Sequence, residues 1–476
     1  MGEKGRFELL EEWSMRLAIV TFSEIKRHKI WRLEAEYYCH KSQIDSSFVT
    51  GEDAVDFVQY GTSEELNEIG NGYPILRLNE YDGMFIKRPE KFCDKINAET
   101  YGNLILKKGD VLICRTNGNP KLVGKSALVP KDYDYAFASY LFRVRPKRKI
   151  INSATLVVYL NCRVGRAQIE KNLMISNQSN FSPAKFRDIQ IPVLAPTIQS
   201  MIEEIVYAAY KKQESANAIY IEAENALIAE LGFLSWKPRH RLSFIKNFSS
   251  AQSSNRLDAE YFQPMYEDVV HRIKQYKKGY KPLGEIVRIK DKNFQPKDDE
   301  LYQYIELANI STNGNINGFI EAQGKELPTR ARRKVNSGDV IVSTIEGSLS
   351  SIALIADDLD NALCSTGFFV IKSDGINSQT LLVLLKSVVG QLQLKKGCSG
   401  TILAAISDDE FKRIILPELS LSIQENIKNK ISKMYATKAL SKNLLRIAKQ
   451  GVEMAIEKTE KKAQDWIEIE LKALQK

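Results

Sequence analysis

Apolar residues fall along this chain in two rhythms. From Pro196 to Gly232 they recur every three or four residues, at Ile202, Ile205, Ala209, Ala216, Ile219, Ala223 and Ala226, with Lys212 standing in register. A seven-residue repeat held this long predicts a coiled-coil helix rather than a short surface helix. Pro196 sits where a first helical turn tolerates proline, and Gly232 supplies the stop. A second stripe runs through Ile427, Ile431, Met434, Leu445, Ala448, Val452 and Ala455, with Lys438 and Ser441 in register. The alanine-rich first stripe suits close packing against the second helix. The competing expectation is two unrelated amphipathic helices, each docked on its own domain.

Ahead of each long helix the rhythm shortens and turn residues multiply. Tyr73–Leu78 and Val111–Ile113 in the first half, and Tyr304–Leu307, Val340–Val342 and Phe368–Ile371 in the second, are short β-favouring runs. Turns such as Asn117-Gly118-Asn119-Pro120 separate them. A helix over Thr380–Val389 makes each globular part α+β. The polar stretch from Lys237-Pro238-Arg239-His240-Arg241 to Asn255 reads as an inter-domain linker.

The halves are related. Arg32-Leu33-Glu34-Ala35-Glu36-Tyr37-Tyr38 returns as Arg256-Leu257-Asp258-Ala259-Glu260-Tyr261-Phe262, and Gly109-Asp110-Val111-Leu112-Ile113 returns as Gly338-Asp339-Val340-Ile341-Val342. Phe186-x-x-Ile189-x-Ile191-Pro192-x-Leu194 returns as Phe411-x-x-Ile414-x-Leu416-Pro417-x-Leu419. Ile198-Gln199-x-x-Ile202 returns as Ile423-Gln424-x-x-Ile427. Four blocks in one order at nearly constant displacement make the chain a tandem duplication.

Composition adds limits. The 476 residues are 43% hydrophobic and 27% charged, with a formal net charge of +9, which permits a polyanionic partner without requiring one. The start, MGEKGRFELLEEW, lacks the order of a signal peptide. The longest apolar runs, Leu156–Leu160 and Leu381–Leu385, are far short of a membrane span. A cytoplasmic protein without a membrane partner is expected. Cys39, Cys93, Cys114, Cys162, Cys364 and Cys398 show no paired spacing, and His28, His40, His240 and His271 show no metal-ligand spacing. Free thiols and no metal site follow.

Similar modules at the ends of paired helices suit a calliper on DNA. A helix from Pro196 to Gly232 spans about 55 Å at ~1.5 Å per residue, against ~34–36 Å between half-sites one turn apart. After the Gly-Asp strand the first half offers Arg115, Asn117, Asn119, Lys121 and Lys125. Arginine and asparagine match guanine and adenine edges, and lysine matches phosphate. The matching loop of the second half holds Thr344, Glu346, Ser348 and Ser350, without the cations. Arg330, Arg332, Arg333 and Lys334 form the densest basic cluster, and Lys395 and Lys396 a smaller one. Each is equally readable as solvated surface. Glu36 and Glu260 sit in separate repeats and cannot face each other across a bond. Their block reads as a structural entry, its arginine paired to a carboxylate and its aromatics packed.

Catalytic signatures are missing: no N/D-P-P-Y/F block, no Gly-rich cofactor turn, no P-loop and no nuclease carboxylate–lysine cluster. The remaining alternatives are a coiled-coil adaptor of a phage-defence complex and a self-contained modification enzyme with an unrecognised site.

The duplicated R-L-[DE]-A-E-[YF], the Gly-Asp strand with its polar loop, and F-x-x-I-x-[IL]-P-x-L leading into I-Q-x-x-I and a long helix together resemble the specificity subunit of Type I restriction-modification systems. The likeness covers the chain from about Arg32 to about Leu474. It implies a non-catalytic subunit that reads a split, asymmetric double-stranded DNA target. Two target-recognition domains (1–194 and 235–419, the second with its linker) would be separated by spacer helices (195–234 and 420–476, the latter with a helical tail) packed as an antiparallel coiled coil. It also implies two methyltransferase subunits carrying S-adenosylmethionine, and room for two restriction subunits using ATP and Mg; no cofactor is expected on this chain. One departure stands out. Gln178-Ser179-Asn180-Phe181-Ser182 fits a Q-x-N-[apolar]-S run, whereas the second half has Leu403-Ala404-Ala405-Ile406-Ser407.

Overall fold

The computed structural model describes residue 22 and residues 47–173, 179–290, 292–311, 313–400 and 403–474. The first Arg-Leu-Glu-Ala-Glu block, including Glu36, lies outside them, as do Gln178, Cys39, His28 and His40. The chain divides into two compact units: Met1–Lys212 with Leu440–Lys476, and Gln213–Ala439. Both are mixed α/β.

In unit one a six-stranded sheet is ordered Val55–Tyr60, Leu141–Pro146, Val111–Cys114, Ser126–Leu128, Phe85–Ile86 and Tyr81–Asp82. A three-stranded sheet is ordered Ala136–Phe137, Tyr73–Leu76 and Lys91–Cys93. Phe48–Thr50 pairs with Gln190–Pro192, and Thr116–Asn117 with Ser179–Asn180. Unit two has a four-stranded sheet, Val287–Ile289, Phe368–Ser373, Val340–Ser343 and Ile352–Leu354, and a second, Ile320–Gln323, Leu301–Ile305, Leu363–Ser365 and Ala331–Lys334. Its small pairs are Tyr280–Pro282 with Ile415–Pro417, and Cys398–Ser399 with Ala405–Ile406. The strand holding Gly-Asp-[apolar]₃ therefore lies inside the sheet of each unit, fully buried, which is why it reads as a continuous apolar run.

The repeated blocks do the same work in both units. Gly109 and Gly338 turn the chain at positive φ, +90° and +82°, a conformation that favours glycine. The buried aspartate that follows closes the turn on a backbone amide three residues earlier: Asp110 accepts from Lys107 at 2.9 Å and Asp339 from Asn336 at 2.8 Å. Asn152 and Asn377 each cap a helix, accepting from the amides of Thr155 and Thr380. Their own side-chain amides donate to the carbonyls of Gln199 and Gln424 at 3.0 and 3.1 Å. Those glutamines return the contact by accepting from the Asn152 and Asn377 amides, and donate to Leu194 and Leu419 carbonyls. So Ile-Gln-x-x-Ile is the rivet that fastens the start of each long helix to the globular part of its own unit.

One helical expectation needs correcting. Thr380–Val389 is not one helix: Ser378–Lys386 and Val388–Gly397 meet at a break at Ser387, as Ser153–Asn161 and Arg163–Lys171 do at Cys162. Gly165 and Gly390 permit the close approach, since a Cβ there would stand 1.9 Å from the Tyr159 carbonyl and 2.5 Å from that of Leu384. The final segment comprises two helices, Leu421–Glu457 and Glu460–Leu474. The second folds back, with Ile467 against Gly451 and Arg446 paired to Glu470 at 2.7 Å.

The first long helix, Pro196–Glu230, ends in a Schellman pattern: Gly232 N–H to Ala229 and Phe233 N–H to Ile228. Its stripe differs from the expected one. Lys212 is exposed while Gln213 is buried, and Ala226 is half-buried while Leu227 is fully so. The buried line runs 202, 206, 209, 213, 216, 220, 223, 227, with Ile205 and Ile219 widening it where the helix also meets its globular neighbours. The stripe of the second helix is buried at every expected position, Lys438 and Ser441 included. Within unit one, Ser441 donates to the Ala209 carbonyl at 2.8 Å and Gly451 faces Ile202, so the segments there run antiparallel. Within unit two, Ala216, Tyr220, Ala223 and Leu227 share a core with Ile427, Ile431 and Met434.

The stretch expected to be a plain linker carries a short helix, Phe248–Ser254, ending at Asn255 with φ +53°. Five cysteines, Cys93, Cys114, Cys162, Cys364 and Cys398, are free and buried. No helix among the described residues is long and apolar enough to cross a membrane.

Candidate nucleic-acid interface

In unit one the loop candidates start where strand Val111–Cys114 ends. The Arg115 amide donates to the Tyr140 carbonyl, and its carbonyl accepts from Phe181, both at 2.8 Å. These bonds clamp the Arg115 backbone between the neighbouring strand and the segment after Ser179–Asn180. The Arg115 guanidinium lies 5.3 Å from the centre of the Tyr60 ring, and its buried Nε has no hydrogen-bond partner. Tyr60 and Tyr140 are 47% and 59% exposed.

Beyond Arg115 the loop is held by its own asparagines. Asn117 Oδ1 accepts from the Asn119 amide at 2.8 Å, and Asn119 Oδ1 from the Lys121 amide at 3.0 Å. These are Asx turns, so both side-chain oxygens are spent on loop shape. Lys121 is exposed. Lys125 points inward instead, and burial pulls its pKa down. The structure thus brings Arg115, Asn117, Asn119 and Lys121 to one loop and sets Lys125 apart as a half-buried lysine. Asn180 pairs with Thr116 across the small sheet, with a buried Oδ1 that lacks a partner.

Unit two builds the equivalent loop differently. Thr344 takes the place of Arg115: its amide donates to the Gly367 carbonyl and its carbonyl accepts from Ile406, each at 2.9 Å. Its hydroxyl donates to the same Gly367 oxygen at 3.1 Å. Glu346 is exposed and anchored through its amide to Ala404. Ser348 shares a hydrogen bond with Ser343 at 2.9 Å, and the Ser350 carbonyl accepts from Lys386 at 2.6 Å. Thr344 and Ser348 therefore hold the loop together; residues 344–350 include no cation of their own, and Lys386 reaches the loop only at the Ser350 carbonyl.

The basic cluster is a strand, Ala331–Lys334, with Arg330 before it, and it is not one uniform face. Arg330 and Lys334 are exposed, Lys334 lying 5.6 Å from the Phe294 ring centre. Arg332 is bonded to Gln295 and to the Thr329 carbonyl. Arg333 is half-buried, with Nε and Nη1 lacking hydrogen-bond partners. Lys395 pairs with Glu260 at 3.5 Å, and Lys396 lies 4.9 Å from the Tyr261 ring centre, its pKa lowered by burial.

Those lysines meet the second Arg-Leu-Asp-Ala-Glu block. Arg256 forms a two-point pair with Asp258, both contacts 2.6 Å, donates to the Cys398 carbonyl, and stacks 4.5 Å from Tyr261. Glu260 accepts from Tyr266 at 2.6 Å and lies 3.4 Å from His240. Burial raises the Glu260 pKa, but the Tyr266 hydrogen bond and the charges of Lys395 and His240 outweigh it, leaving a lowered value. The block is an entry clamp, as expected from its residue types.

Two features escaped the sequence reading. Asn152-Ser153-Ala154-Thr155 and Asn377-Ser378-Gln379-Thr380 are a fifth repeated block, at the displacement of the others, and were there to be found. Tyr60 and Tyr140 carry no such signal, because neighbouring strands of a sheet bring them to Arg115 from distant positions.

No protein-family model matches the sequence, and no curated protein matches it significantly. Solved structures similar to the chain include the Type I restriction-modification S subunit from M. genitalium, at 12% identity over 88% of this chain and 96% of that one, TM-score 0.37. A structure concerning complex assembly and conformational transition of the type I R-M system is similar at 12% identity over 88% and 99%, TM-score 0.30. The HsdS subunit from Thermoanaerobacter tengcongensis is similar at 12% identity over 87% and 97%, TM-score 0.29.

Proposed function

We propose that this chain is the DNA-recognition subunit of a Type I restriction-modification system, a non-catalytic protein whose two related modules each read one half of a split, asymmetric duplex target. The observation that carries this reading is the duplicated rivet. Asn152, Thr155 and Gln199 in one unit, and Asn377, Thr380 and Gln424 in the other, fix a module to the start of its own long helix by the same hydrogen bonds. The loops mounted on that common frame have diverged, with Arg115 in one and Thr344 in the other. A shared frame with differing contact loops is what two readers of different half-sites require. The long helices would set the unread gap and dock two methyltransferase subunits, which bring S-adenosylmethionine; restriction subunits would bring ATP and Mg. Exposed cations such as Lys121, Arg330 and Lys334 would serve phosphate, and loop side chains the base edges.

The test is purification of the full chain with and without its methyltransferase. The chain alone should leave duplex DNA unmodified in S-adenosylmethionine, and adding the partner should yield methylation confined to one bipartite sequence. Methylation by the isolated chain would overturn the reading. An adaptor that binds protein is the second reading, favoured by the exposed Leu242, Ile245, Phe248 and Leu257. A DNA affinity that falls steeply with salt would argue against it.

A further inference from the structure

We infer that the first module reads a guanine through Arg115, held against the Tyr60 ring and pinned by its backbone to Tyr140, and that the second module has no arginine to make this contact. The inference rests on the DNA-recognition reading and adds which base, which residue and which half.

Arg115 differs from the bonded arginines of its unit, and from the freely placed Arg88 and Arg187, in combining a buried Nε with no side-chain hydrogen bond. Arg143 is spent on Asp110, Gln59 and backbone carbonyls, Arg148 on Glu203, Arg163 on Glu457 and Arg166 on the Val123 carbonyl. Among the described residues the Arg115 guanidinium makes neither a hydrogen bond nor an ion pair, although its Nε is buried. A buried donor without a partner costs about 1–3 kcal/mol, so its persistence in a well-bonded sheet calls for an explanation. The backbone around it is fixed on both sides, to Tyr140 and to Phe181. Stacking on Tyr60 limits the plane the guanidinium can adopt. A planar fork of unspent donors, on a rigid strand end against the exposed Tyr60 ring, matches an acceptor pair lying in one plane. On duplex DNA that pair is guanine O6 and N7, the commonest partner of a bidentate arginine. The Tyr60 ring adds apolar surface beside the base pair and no competing charge.

At the backbone positions matching Arg115 and Tyr140, unit two carries neither residue. Thr344 replaces Arg115, with its hydroxyl already bonded, and Gly367 replaces Tyr140 as the carbonyl that accepts from it. The difference supplies an asymmetry between half-sites.

The experiment uses the full chain with its methyltransferase. Its target is selected from randomised duplexes, and binding is then measured by fluorescence anisotropy on variants of that target. Arg115→Ala should relax one guanine of one half-site, with discrimination at that pair falling 5- to 150-fold and the other positions unchanged. Arg115→Lys, which keeps the charge and loses the fork, should fall nearly as far. Replacing that guanine with 7-deazaguanine, which lacks N7, should weaken the wild type and leave Arg115→Ala unaffected. Uniform weakening across all sequences would mean a phosphate contact and overturn the inference, as would an unchanged target. Failure of the wild type to enrich any sequence would instead overturn the DNA-recognition reading itself. Should Arg115→Ala not fold, Tyr60→Leu, which removes only the ring, should weaken the same guanine preference.

Discussion

At the end of strand Val111–Cys114, unit one presents Arg115 beside Tyr60 and Tyr140; at the same place unit two presents Thr344 beside Gly367. A few residues away the units cease to differ, and Asn152, Thr155 and Gln199 make the bonds that Asn377, Thr380 and Gln424 make. The contrast follows from burial. The rivet glutamines are 7% exposed, and each bonds backbone groups on both sides of the joint. A change at one would orphan several partners at once. Exposed loop side chains orphan little when they change, so the loops are where two copies of one frame can part.

The aspartate after each turn glycine sharpens the comparison most. Asp110 is fully buried and pairs with both Arg143 and Arg145, whereas Asp339 pairs with Lys290, which is 34% exposed. Asp110→Ala leaves a buried guanidinium without its carboxylate and should cost unit one about 3–5 kcal/mol. Asp339→Ala should cost about 1–3 kcal/mol, because Lys290 can turn to water. Urea unfolding of the full chain checks both, and equal costs would contradict the asymmetry of these pairs.

The interhelix glycines should behave alike. Gly165→Ala and Gly390→Ala each drive a methyl into a backbone carbonyl and should cost about 2–3 kcal/mol, with the larger loss at Gly165, where the approach is closer. Next come the rivets. Gln199→Ala and Gln424→Ala should each cost about 2 kcal/mol. Gln199 should be the worse because it also donates to the Ile150 carbonyl. Loss of stability in one unit and none in the other would break the claim of a common frame.

The smallest effect is electrostatic and confined to unit two. The Glu260 pKa is held below its ordinary 4.5, so its stabilisation is present above pH 4.5 and fades as pH falls through the lowered value. Its side chain is 45% exposed, and solvent screening limits the gain to a few tenths of a kcal/mol. Glu260→Gln should flatten that part of the stability-versus-pH curve. A steeper curve would show the sign to be wrong.

How much the sequence revealed depended on whether the information was local. The repeat, the Gly-Asp turn and the clamp of Arg256 on Asp258 were legible because each is set by neighbours along the chain. The heptad of the first long helix was misplaced by one residue at Lys212 and Ala226, since Gln213 and Leu227 are buried by what surrounds the helix. The break at Ser387 was hidden because both flanking helices are apolar and Gly390 alone marks it. Lys125 and Lys396 looked like surface cations and are half-buried, which charge alone does not reveal.

The central proposal is that two copies of one frame each meet their own stretch of duplex. The direct measurement is genome-wide mapping of modified adenines in cells carrying either the wild-type gene or a four-residue insertion between Ala216 and Ala226. Four residues add about one helical turn, ~6 Å at ~1.5 Å per residue. The account predicts that both half-sites keep their sequences while the unread gap changes length; altered half-sites with an unchanged gap would contradict it.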